Sequence, residues 1–224
     1  MNRPNIPRGL PFDLLPAAMY RRIASEAVEL EVDKGEILFS VGSPSHFAFT
    51  VLSGRVHLQH LRADGRVFAV CVHAPGDTFC CLPIMDRRPY PVNAIAVMPS
   101  TVLRVSAALF RECLTSCPQF GQTVLERFSL SLREVACQEC PTDAGAKLAT
   151  RVLGMLEKFG AEIPLTRREL GELAGVTVET AIREIKGFER AGWVATRRGH
   201  IQVLDREALE RRSVGEGGAC PMSG

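Results

Sequence analysis

Two groups of residues in this sequence have types and spacings suited to chemistry: one polar run towards the C-terminus and several paired cysteines. The polar run is Val178-Glu179-Thr180-Ala181-Ile182-Arg183. Near the N-terminal end of a helix, Glu179 can accept a hydrogen bond from cytosine N4, and Arg183 can pair with guanine O6 and N7. The run therefore predicts a helix that reads base edges in the major groove of DNA.

The neighbouring residues predict the elements that would position this run. Thr166 and Glu169 have the spacing of a capping box, which begins a first helix, and Gly175 favours the turn after it. Thr177 can cap the second helix. The apolar residues of that helix recur at helical spacing: Ala181, Ile182, Ile185 and Phe188. Segment 165–198 is thus predicted to be a winged helix-turn-helix. The alternative is a small helical subdomain with solvated charges, but cap, turn, periodicity and basic wing agree on DNA binding.

The remaining DNA contacts are predicted from charge and position. Arg197 and Arg198 form a basic wing and are expected to contact phosphates. The full set of predicted DNA-binding residues is Thr166, Thr177, Val178, Glu179, Thr180, Arg183, Lys186, Arg197 and Arg198. Helix-turn-helix proteins commonly bind palindromic half-sites as two-fold dimers. Double-stranded DNA with a palindromic operator and a second copy of the chain are therefore the expected partners.

The cysteines are the second chemical signal. The chain has eight, and two pairs stand out: the adjacent Cys80 and Cys81, and Cys137-x-x-Cys140, whose thiols would share one face of a helix. Thiolates bind soft metals, metalloids and iron–sulfur clusters, and they are also the form of cysteine that oxidises. On a strand, however, adjacent residues point to opposite faces, so at most one of Cys80 and Cys81 would face a pocket. The alternative is that all eight are small buried hydrophobes.

Composition narrows the class of protein. The chain has 224 residues, 46% of them hydrophobic, and a net charge of only +2, so a nucleic-acid surface must be a local patch. No apolar run reaches the roughly 18 residues that span a bilayer, and residues 1–8 lack the apolar core of a signal peptide. We therefore expect a soluble, cytoplasmic protein without a membrane partner. Because the cytoplasm is a reducing compartment, we expect its cysteines not to form a disulfide framework.

Residues 32–105 have the pattern of short strands separated by turns. Glycines recur at intervals of 12, 11 and 11 residues: Gly42, Gly54, Gly65 and Gly76. The Asp64-Gly65 pair is typical of a hairpin. This rhythm predicts a jelly roll or barrel.

A long helix is predicted next. Pro118 suits its first position, and the helix would extend to about Cys140. Its apolar residues repeat at spacings of 3, 4 and 3, as in a coiled-coil seam: Leu125, Phe128, Leu132 and Val135. Such a seam can lie inside one chain, but a two-fold dimer is favoured because it matches palindromic DNA. Asp143 can cap the helix that follows.

An enzyme is the rival class. A jelly-roll metal enzyme would need several of His57, His60, Cys71 and His73 on one inward face, yet residues three apart on a strand face oppositely. No Ser/His/Asp, paired-carboxylate or phosphate-loop arrangement is present. We therefore expect no enzymatic activity.

The run LTRRELGELAGVTVETAIREIKGFERAGWV resembles the DNA-binding domain of the CRP/FNR superfamily of bacterial transcription regulators. Glu179 and Arg183 match that family's base-reading positions, while Val178 replaces a residue that is usually polar. The turns of the family's β-roll effector domain are matched by Lys34-Gly35-Glu36, Gly42, Leu52-Ser53-Gly54-Arg55-Val56 and Pro75-Gly76-Asp77. The resemblance covers about residues 30–205 and implies RNA polymerase as a further partner.

The resemblance also bears on the effector. Family members that bind cyclic AMP use a glutamate where this chain has Cys80-Cys81, and an Arg-Ser pair where it has Pro91-Val92. A phosphate there would lack a charge partner, so cyclic AMP is not expected. The loop resembles that of carbon-monoxide-sensing members, whose haem-ligand cysteine falls on Cys80, although their histidine ligand is replaced by Leu82. The oxygen-sensing members' N-terminal cysteine cluster is missing, because the first cysteine is Cys71.

The sequence thus predicts an α+β protein with four parts: a β-roll (jelly-roll) sensor domain at 1–117, a dimerisation helix at 118–140, a winged helix-turn-helix domain at 141–212 and a flexible tail at 213–224. Its predicted function is DNA-binding transcription regulation under an effector. That effector is a haem or gas, a soft metal or metalloid, an iron–sulfur cluster or a redox signal, received through Cys80, Cys81, Cys137 and Cys140. The alternative regulator responds to a small molecule and has purely structural cysteines.

Overall fold

The computed structural model describes residues 11–61, 67–136 and 143–214, apart from the side chains of 11 and 130–136. It confirms the predicted class, with a β-rich N-terminal part and a helical C-terminal part that ends in a winged helix-turn-helix. The chain divides into two compact units with the main break between Ser129 and Leu130, and Leu61–Ala69 is grouped with the second unit. Cys137, Cys140 and the Asp64-Gly65 turn lie outside the described residues.

Within the described residues, the N-terminal part of the chain holds eight strands and four helices. A 3₁₀ turn at Pro11–Leu14 precedes helix α1 at Ala17–Glu26. The strands are β1 Val28–Val32, β2 Ile37–Phe39, β3 Phe47–Ser53, β4 Val56–Leu61, β5 Val67–His73, β6 Thr78–Phe79, β7 Asn93–Ala96 and β8 Ser100–Ser106. The helices after α1 are α2 Cys81–Asp86, α3 Ala107–Ser116 and α4 Pro118–Ala136.

The strands form two four-stranded sheets, in the orders β1-β8-β3-β6 and β2-β7-β4-β5. Alternation along each strand sends one face of each sheet into the space between them. We call this space the roll interior. It is lined by Phe39, Phe49, Val51, Val56, Phe79, Tyr90, Ala94 and Val102. The sheets and their alternating burial confirm the predicted jelly roll.

A second core lies on the other face of β3 and β8, where α1, α3 and α4 pack. This helix-side core includes Phe12, Ile23, Leu103, Val105, Phe110, Cys113, Cys117 and Phe120. Cys113 and Cys117 are at most 4% exposed, and the Cys117 thiol donates a hydrogen bond to the Leu14 carbonyl at 3.2 Å. These two cysteines are core residues, which agrees with the alternative that the cysteines are small buried hydrophobes.

The C-terminal unit is built of four further helices and a small sheet. Helix α5 spans Ala144–Phe159, α6 Arg167–Ala174, α7 Val178–Arg190 and α8 Arg206–Val214. Strands β9 Glu162–Ile163, β10 Val194–Arg197 and β11 His200–Val203 pair in the order β10-β11-β9. Helix α8 ends at Val214, and the rest of the predicted tail lies outside the described residues.

Asp143 caps α5, as predicted, by accepting a hydrogen bond from the Ala146 N–H at 3.0 Å. It also pairs with Arg212 on α8. The hydrogen bond from that guanidinium is the main reason that the Asp143 pKa falls from 3.8 to about 2. Nearly half of this carboxylate is exposed, so the pair adds little beyond the cap itself. In the described ranges, no helix is long and apolar enough to cross a membrane.

Candidate nucleic-acid interface and sensor core

Helices α6 and α7 form the predicted helix-turn-helix. Thr166 Oγ accepts from the Glu169 N–H at 3.1 Å, and the Glu169 carboxylate accepts from the Thr166 N–H at 2.8 Å, so the capping box is present. Gly175 ends α6 with a φ of 66°, the left-handed conformation expected of the turn glycine. Thr177 caps α7 by accepting from the Thr180 N–H at 3.2 Å. Each local signal for this motif is confirmed.

The two helices cross closely because small residues meet at the crossing. A Cβ added to Gly171 on α6 would lie 2.9 Å from the Cβ of Ala181 on α7. Leu170, Leu173, Ala181, Ile185 and Phe188 are buried around this contact. The apolar side of α7 is therefore fixed against α6, and its other side is left for function.

The exposed side of α7 carries a stripe of charged residues one helical turn apart: Glu179, Arg183, Lys186 and Arg190. Arg183 donates to Glu184 at 3.0 and 3.1 Å, yet its side chain stays 70% exposed. A surface pair of this kind holds an arginine weakly, so the guanidinium remains available to a ligand. Thr180 and Val178 are half-buried at the helix start, beside the stripe. Arg190 was missed by the sequence reasoning, although its spacing from Arg183 and Lys186 signals it.

The wing is the hairpin of β10 and β11, in which Arg197 pairs with His200. Arg198 and Gly199 form its two-residue turn, and Gly199 has a φ of 79°. Arg197 and Arg198 are exposed. Thr166 and Thr177, by contrast, use their hydroxyls as helix caps. The structure thus places base-reading candidates on α7 and phosphate-binding candidates on the wing of the same unit.

Arg167 and Glu189 are charged residues of this unit that the sequence reasoning also missed. Arg167 begins α6 and donates to Glu189, in the last turn of α7, at 2.8 Å. Glu189 in turn accepts from the Thr196 N–H on β10 at 3.0 Å. The three residues join first helix, recognition helix and wing. Sequence spacing gives no sign of this link, because the partners are 7 and 22 residues apart.

In the N-terminal unit, the predicted cysteine pair is divided between two cores. Cys80 follows β6 and packs against the roll interior, whereas Cys81 begins α2 and packs against the helix-side core. Burial raises the pKa of the Cys80 thiol well above its usual range, and it raises that of Cys81 to about 12. Both are therefore protonated thiols at neutral pH, which slows direct oxidation.

The loop that carries these cysteines is strained at both ends of α2. Cys80 and Arg87 have φ values of 67° and 59°, and they are the non-glycine residues with positive φ in the described parts of the chain. Ser45 faces the same loop, and its hydroxyl lies 2.9 Å from the Pro83 carbonyl and 2.7 Å from that of Arg88. Such conformations persist where the surroundings hold them, and they concentrate at functional sites.

The roll interior beside Cys80 is filled with aromatic rings. Phe39 stacks on Tyr90 with centroids 3.8 Å apart, and Phe79 stacks on Phe49 at 5.5 Å. The Tyr90 hydroxyl donates to the Phe47 carbonyl at 2.7 Å. Burial raises the Tyr90 pKa to about 12. These contacts make the interior apolar next to the Cys80 thiol.

The arginines near the loop that carries Cys80, and the position of the second haem ligand in the family, are exposed rather than in the roll interior. Arg87 and Arg88 are exposed, and Arg88 lies 3.9 Å from Asp86. Leu82 is 51% exposed. Among the described residues, no group of three or more His, Cys, Asp or Glu side chains is placed to hold a metal ion.

The histidines of the rival metal site do not converge. His57 is fully buried and His60 is exposed on the same strand. His73 stacks on Phe79 at 4.7 Å and lies 4.0 Å from Asp77, which also receives Arg127 of α4 at 3.5 Å. His73 is thus part of a contact between the β5–β6 turn and α4.

The predicted seam on α4 is described in its first half only. Leu125 is 63% exposed and Phe128 is half-buried. Leu132 and Val135 lie on the same helix, but their side chains are outside the described residues. An exposed leucine of this kind leaves apolar surface on the helix.

Comparison with known proteins identifies both units. The family model for the cyclic nucleotide-binding domain matches residues 29–117, and that for the Crp-like helix-turn-helix domain matches residues 146–212.

Curated relatives and a solved structure match the chain along most of its length. The nitrogen fixation regulation protein FixK of Bradyrhizobium diazoefficiens is 28% identical over 210 residues, which are 88% of this chain and 86% of that protein. A CRP-like cAMP-activated global transcriptional regulator of Mycobacterium tuberculosis is 23% identical over 195 residues, which are 82% and 87% of the two chains. The structure of FixK2 from Bradyrhizobium japonicum superposes with a TM-score of 0.73 at 22% identity, covering 83% of this chain and 96% of FixK2. The chain belongs to the CRP/FNR superfamily of bacterial transcription regulators, and it is a DNA-binding regulator of that type.

Proposed function

We propose that this chain binds a palindromic operator as a homodimer, and that a signal received at Cys80 in the roll interior controls the binding. Its partners would be double-stranded DNA, a second copy of the chain and RNA polymerase, in the cytoplasm. The observation that carries the DNA-binding part is the charged stripe of α7. It begins at a capped N-terminus and stays exposed while the opposite side is buried.

The homodimer is supported by α4. Leu125 leaves apolar surface on a helix of 19 residues, at a position of the predicted seam. A helix of that length rises by about 28 Å, enough for a paired-helix interface. Two copies related by a two-fold axis would present two α7 helices to half-sites about 34 Å apart.

The effector proposal rests on the surroundings of Cys80. Its thiol is next to an apolar aromatic interior, and its backbone is held in a left-handed conformation at the start of α2. The candidates remain a haem or gas, a soft metal or metalloid, and a redox signal. The raised pKa adds a condition, because a thiol must lose its proton to ligate a metal. Binding of a thiolate-seeking metal should therefore strengthen as pH rises.

Cyclic AMP is not the proposed effector. The two exposed arginines of the α2 loop, Arg87 and Arg88, lie outside the aromatic interior, whereas a buried phosphate requires a cation beside it. The Mycobacterium tuberculosis relative is named as cAMP-activated, so calorimetry with cyclic AMP tests this difference directly.

The test of the whole proposal is selection of bound sequences from random DNA by the purified protein, followed by footprinting. We expect a two-fold symmetric site with half-site centres about one helical turn apart. An enriched sequence without symmetry would contradict the homodimer, and no enrichment would contradict sequence-specific binding. Absorption spectra and metal analysis of protein purified without oxygen then decide among the effectors.

A further inference from the structure

We propose that Glu189 is a specificity-determining positioning residue, which fixes the recognition helix α7 relative to the wing. The inference rests on the proposed DNA-binding function and deepens it. It concerns the three-residue contact of Arg167, Glu189 and Thr196, which we call the Glu189 clamp.

The clamp joins three elements through one carboxylate. Glu189 Oε2 accepts from Arg167 Nη2 at 2.8 Å, and Oε1 accepts from the Thr196 N–H at 3.0 Å and from the Thr196 hydroxyl at 2.5 Å. Arg167 Nη2 also donates to the Thr196 hydroxyl. Each residue thus touches the other two, and each belongs to a different element.

The ion pair of the clamp is less exposed than a surface pair of the same unit. The side chains of Arg167 and Glu189 are 32% and 28% exposed, whereas Arg206 and Glu157 on the surface are 57% and 64% exposed. Charge-assisted hydrogen bonds gain strength as water is excluded. The clamp therefore resists bending at the junction of α7 and β10.

The junction needs such a restraint because it is a short turn. Ala191 and Gly192 follow α7, and Gly192 has a φ of 76°. Trp193 then packs on Phe188 with ring centroids 5.3 Å apart. Apart from the clamp, the angle between the base-reading face and Arg197 is set by this turn, the ring contact and the hydrogen bond from the Trp193 N–H to the Phe188 carbonyl at 2.9 Å. Specific binding requires both at once, whereas binding to random DNA tolerates many arrangements of phosphate contacts.

If Glu189 acted only through its negative charge, removing it would change the DNA affinity in the opposite direction. Glu189 is a negative charge in a DNA-binding unit, so its removal should strengthen binding to all DNA if it has no positioning role. Glu189→Gln shows whether DNA affinity rises or falls when the charge is removed. Glu189→Asp keeps the charge but shortens the side chain by one methylene, so that the carboxylate no longer reaches its partners. Glu172→Gln is the matched control, because it removes an equal charge that forms an ion pair with Arg168 on the same helix.

The experiment measures the affinity of full-length wild type and variants for the selected operator and for random DNA of equal length. We expect Glu189→Gln and Glu189→Asp to lose about tenfold on the operator, the effect of one charge-assisted hydrogen bond, with random DNA within about twofold. For Glu189→Asp, the salt dependence on the operator should fall by about one unit of slope, because the wing no longer meets its phosphate in register. Glu172→Gln should keep the wild-type ratio of the two affinities.

The single tryptophan gives a second readout without DNA. Trp193 lies between Glu189 and Thr196 in sequence, so its emission maximum and acrylamide quenching should change in Glu189→Asp and not in Glu172→Gln. If Glu189→Gln does not fold, Glu189→Asp and Thr196→Val carry the test. Equal losses on both DNAs, or wild-type operator affinity in both Glu189 variants, would overturn the proposal. Failure of the wild type to select any operator would instead overturn the proposed function.

Discussion

The two units of this chain place their polar side chains in opposite environments. In the N-terminal unit, the space between the sheets holds stacked rings such as Phe39 and Tyr90, and the thiol of Cys80 is desolvated beside them. In the C-terminal unit, the charged stripe of α7 that includes Arg183 is exposed. If Cys80 receives the signal as proposed, its apolar surroundings restrict the effector to one that can enter the roll interior. A DNA-binding surface must present its groups before the ligand arrives.

The α2 loop of the N-terminal unit also differs from the helix-turn-helix in the residues that adopt a left-handed conformation. The helix-turn-helix uses Gly175, which adopts a positive φ without strain, whereas the α2 loop uses Cys80 and Arg87. An L-residue in that conformation costs roughly 1–2 kcal/mol. The turn of the helix-turn-helix is therefore relaxed, whereas the α2 loop is held in a strained conformation by its surroundings. The predictions below test this contrast, beginning with the largest effect.

Leu125→Glu should produce monomers and reduce operator affinity by at least about 100-fold, because one half-site alone loses the gain from two linked contacts. The physical cause is an unpaired charge in an apolar interface. Sedimentation velocity at low micromolar concentration measures the assembly, and titration on the operator measures the affinity. Leu14→Glu, at a leucine that is exposed outside α4, should stay dimeric. A dimeric Leu125→Glu would place the seam inside one chain.

Arg183→Ala should cost about 1–3 kcal/mol on the operator and relax base preference at one position per half-site. Arg197→Ala should weaken operator and random DNA alike, and lower the salt slope by about one, because it removes a phosphate contact. Binding titrations at several salt concentrations separate the two. An equal loss on both DNAs for Arg183→Ala would show that it does not read a base.

The cysteine pair should separate into two roles, because the two thiols enter different cores. Cys80→Ser should abolish the effector response of DNA binding while the dimer persists. Cys81→Ser should keep the response but lower the free energy of unfolding by about 1 kcal/mol, since a hydroxyl replaces a thiol in the apolar helix-side core. DNA titration with and without the effector, and urea unfolding, give the two readouts. A response that survives in Cys80→Ser would return both cysteines to structural roles.

Arg87→Gly should stabilise the N-terminal unit by about 1 kcal/mol or less, because glycine removes the left-handed penalty and Arg87 is exposed. Native-state hydrogen exchange of the β3 and β8 amides measures this unit separately. Arg88→Gly is the control, since Arg88 is also exposed but has no positive φ. It should be neutral or slightly destabilising. Equal effects at both positions would mean that the α2 loop is not strained.

The features that could be predicted from the sequence are those whose interacting residues lie close together in the chain. The capping box at Thr166, the turn at Gly175 and the cap at Thr177 are local, so residues a few positions apart determine them. The glycine rhythm likewise predicted the jelly roll. The Glu189 clamp depends on Arg167, which is 22 residues away, and on the angle at which two helices cross. No local pattern encodes that angle.

The residues around Cys80 show the same limit of prediction from sequence. Alternation predicted that at most one of the adjacent cysteines faces a pocket, and the two thiols do pack against different cores, although neither residue lies on a strand. It could not say that β6 ends at Phe79, or that the second thiol enters a core made by α1, α3 and α4. The strain at Arg87 was equally invisible, because arginine carries no preference for a positive φ. Such features follow from tertiary packing, which overrides local propensity.

The close crossing at Gly171 and Ala181 has a consequence for re-engineering the operator preference. Neither position can accept a larger side chain without moving α7 away from α6, so a randomised library should leave both unchanged. Diversity belongs at Val178, Glu179, Thr180, Arg183 and Lys186. Because the crossing of α6 and α7 is fixed, the base-contacting residues can be changed while every variant of the library places α7 at the same depth in the major groove.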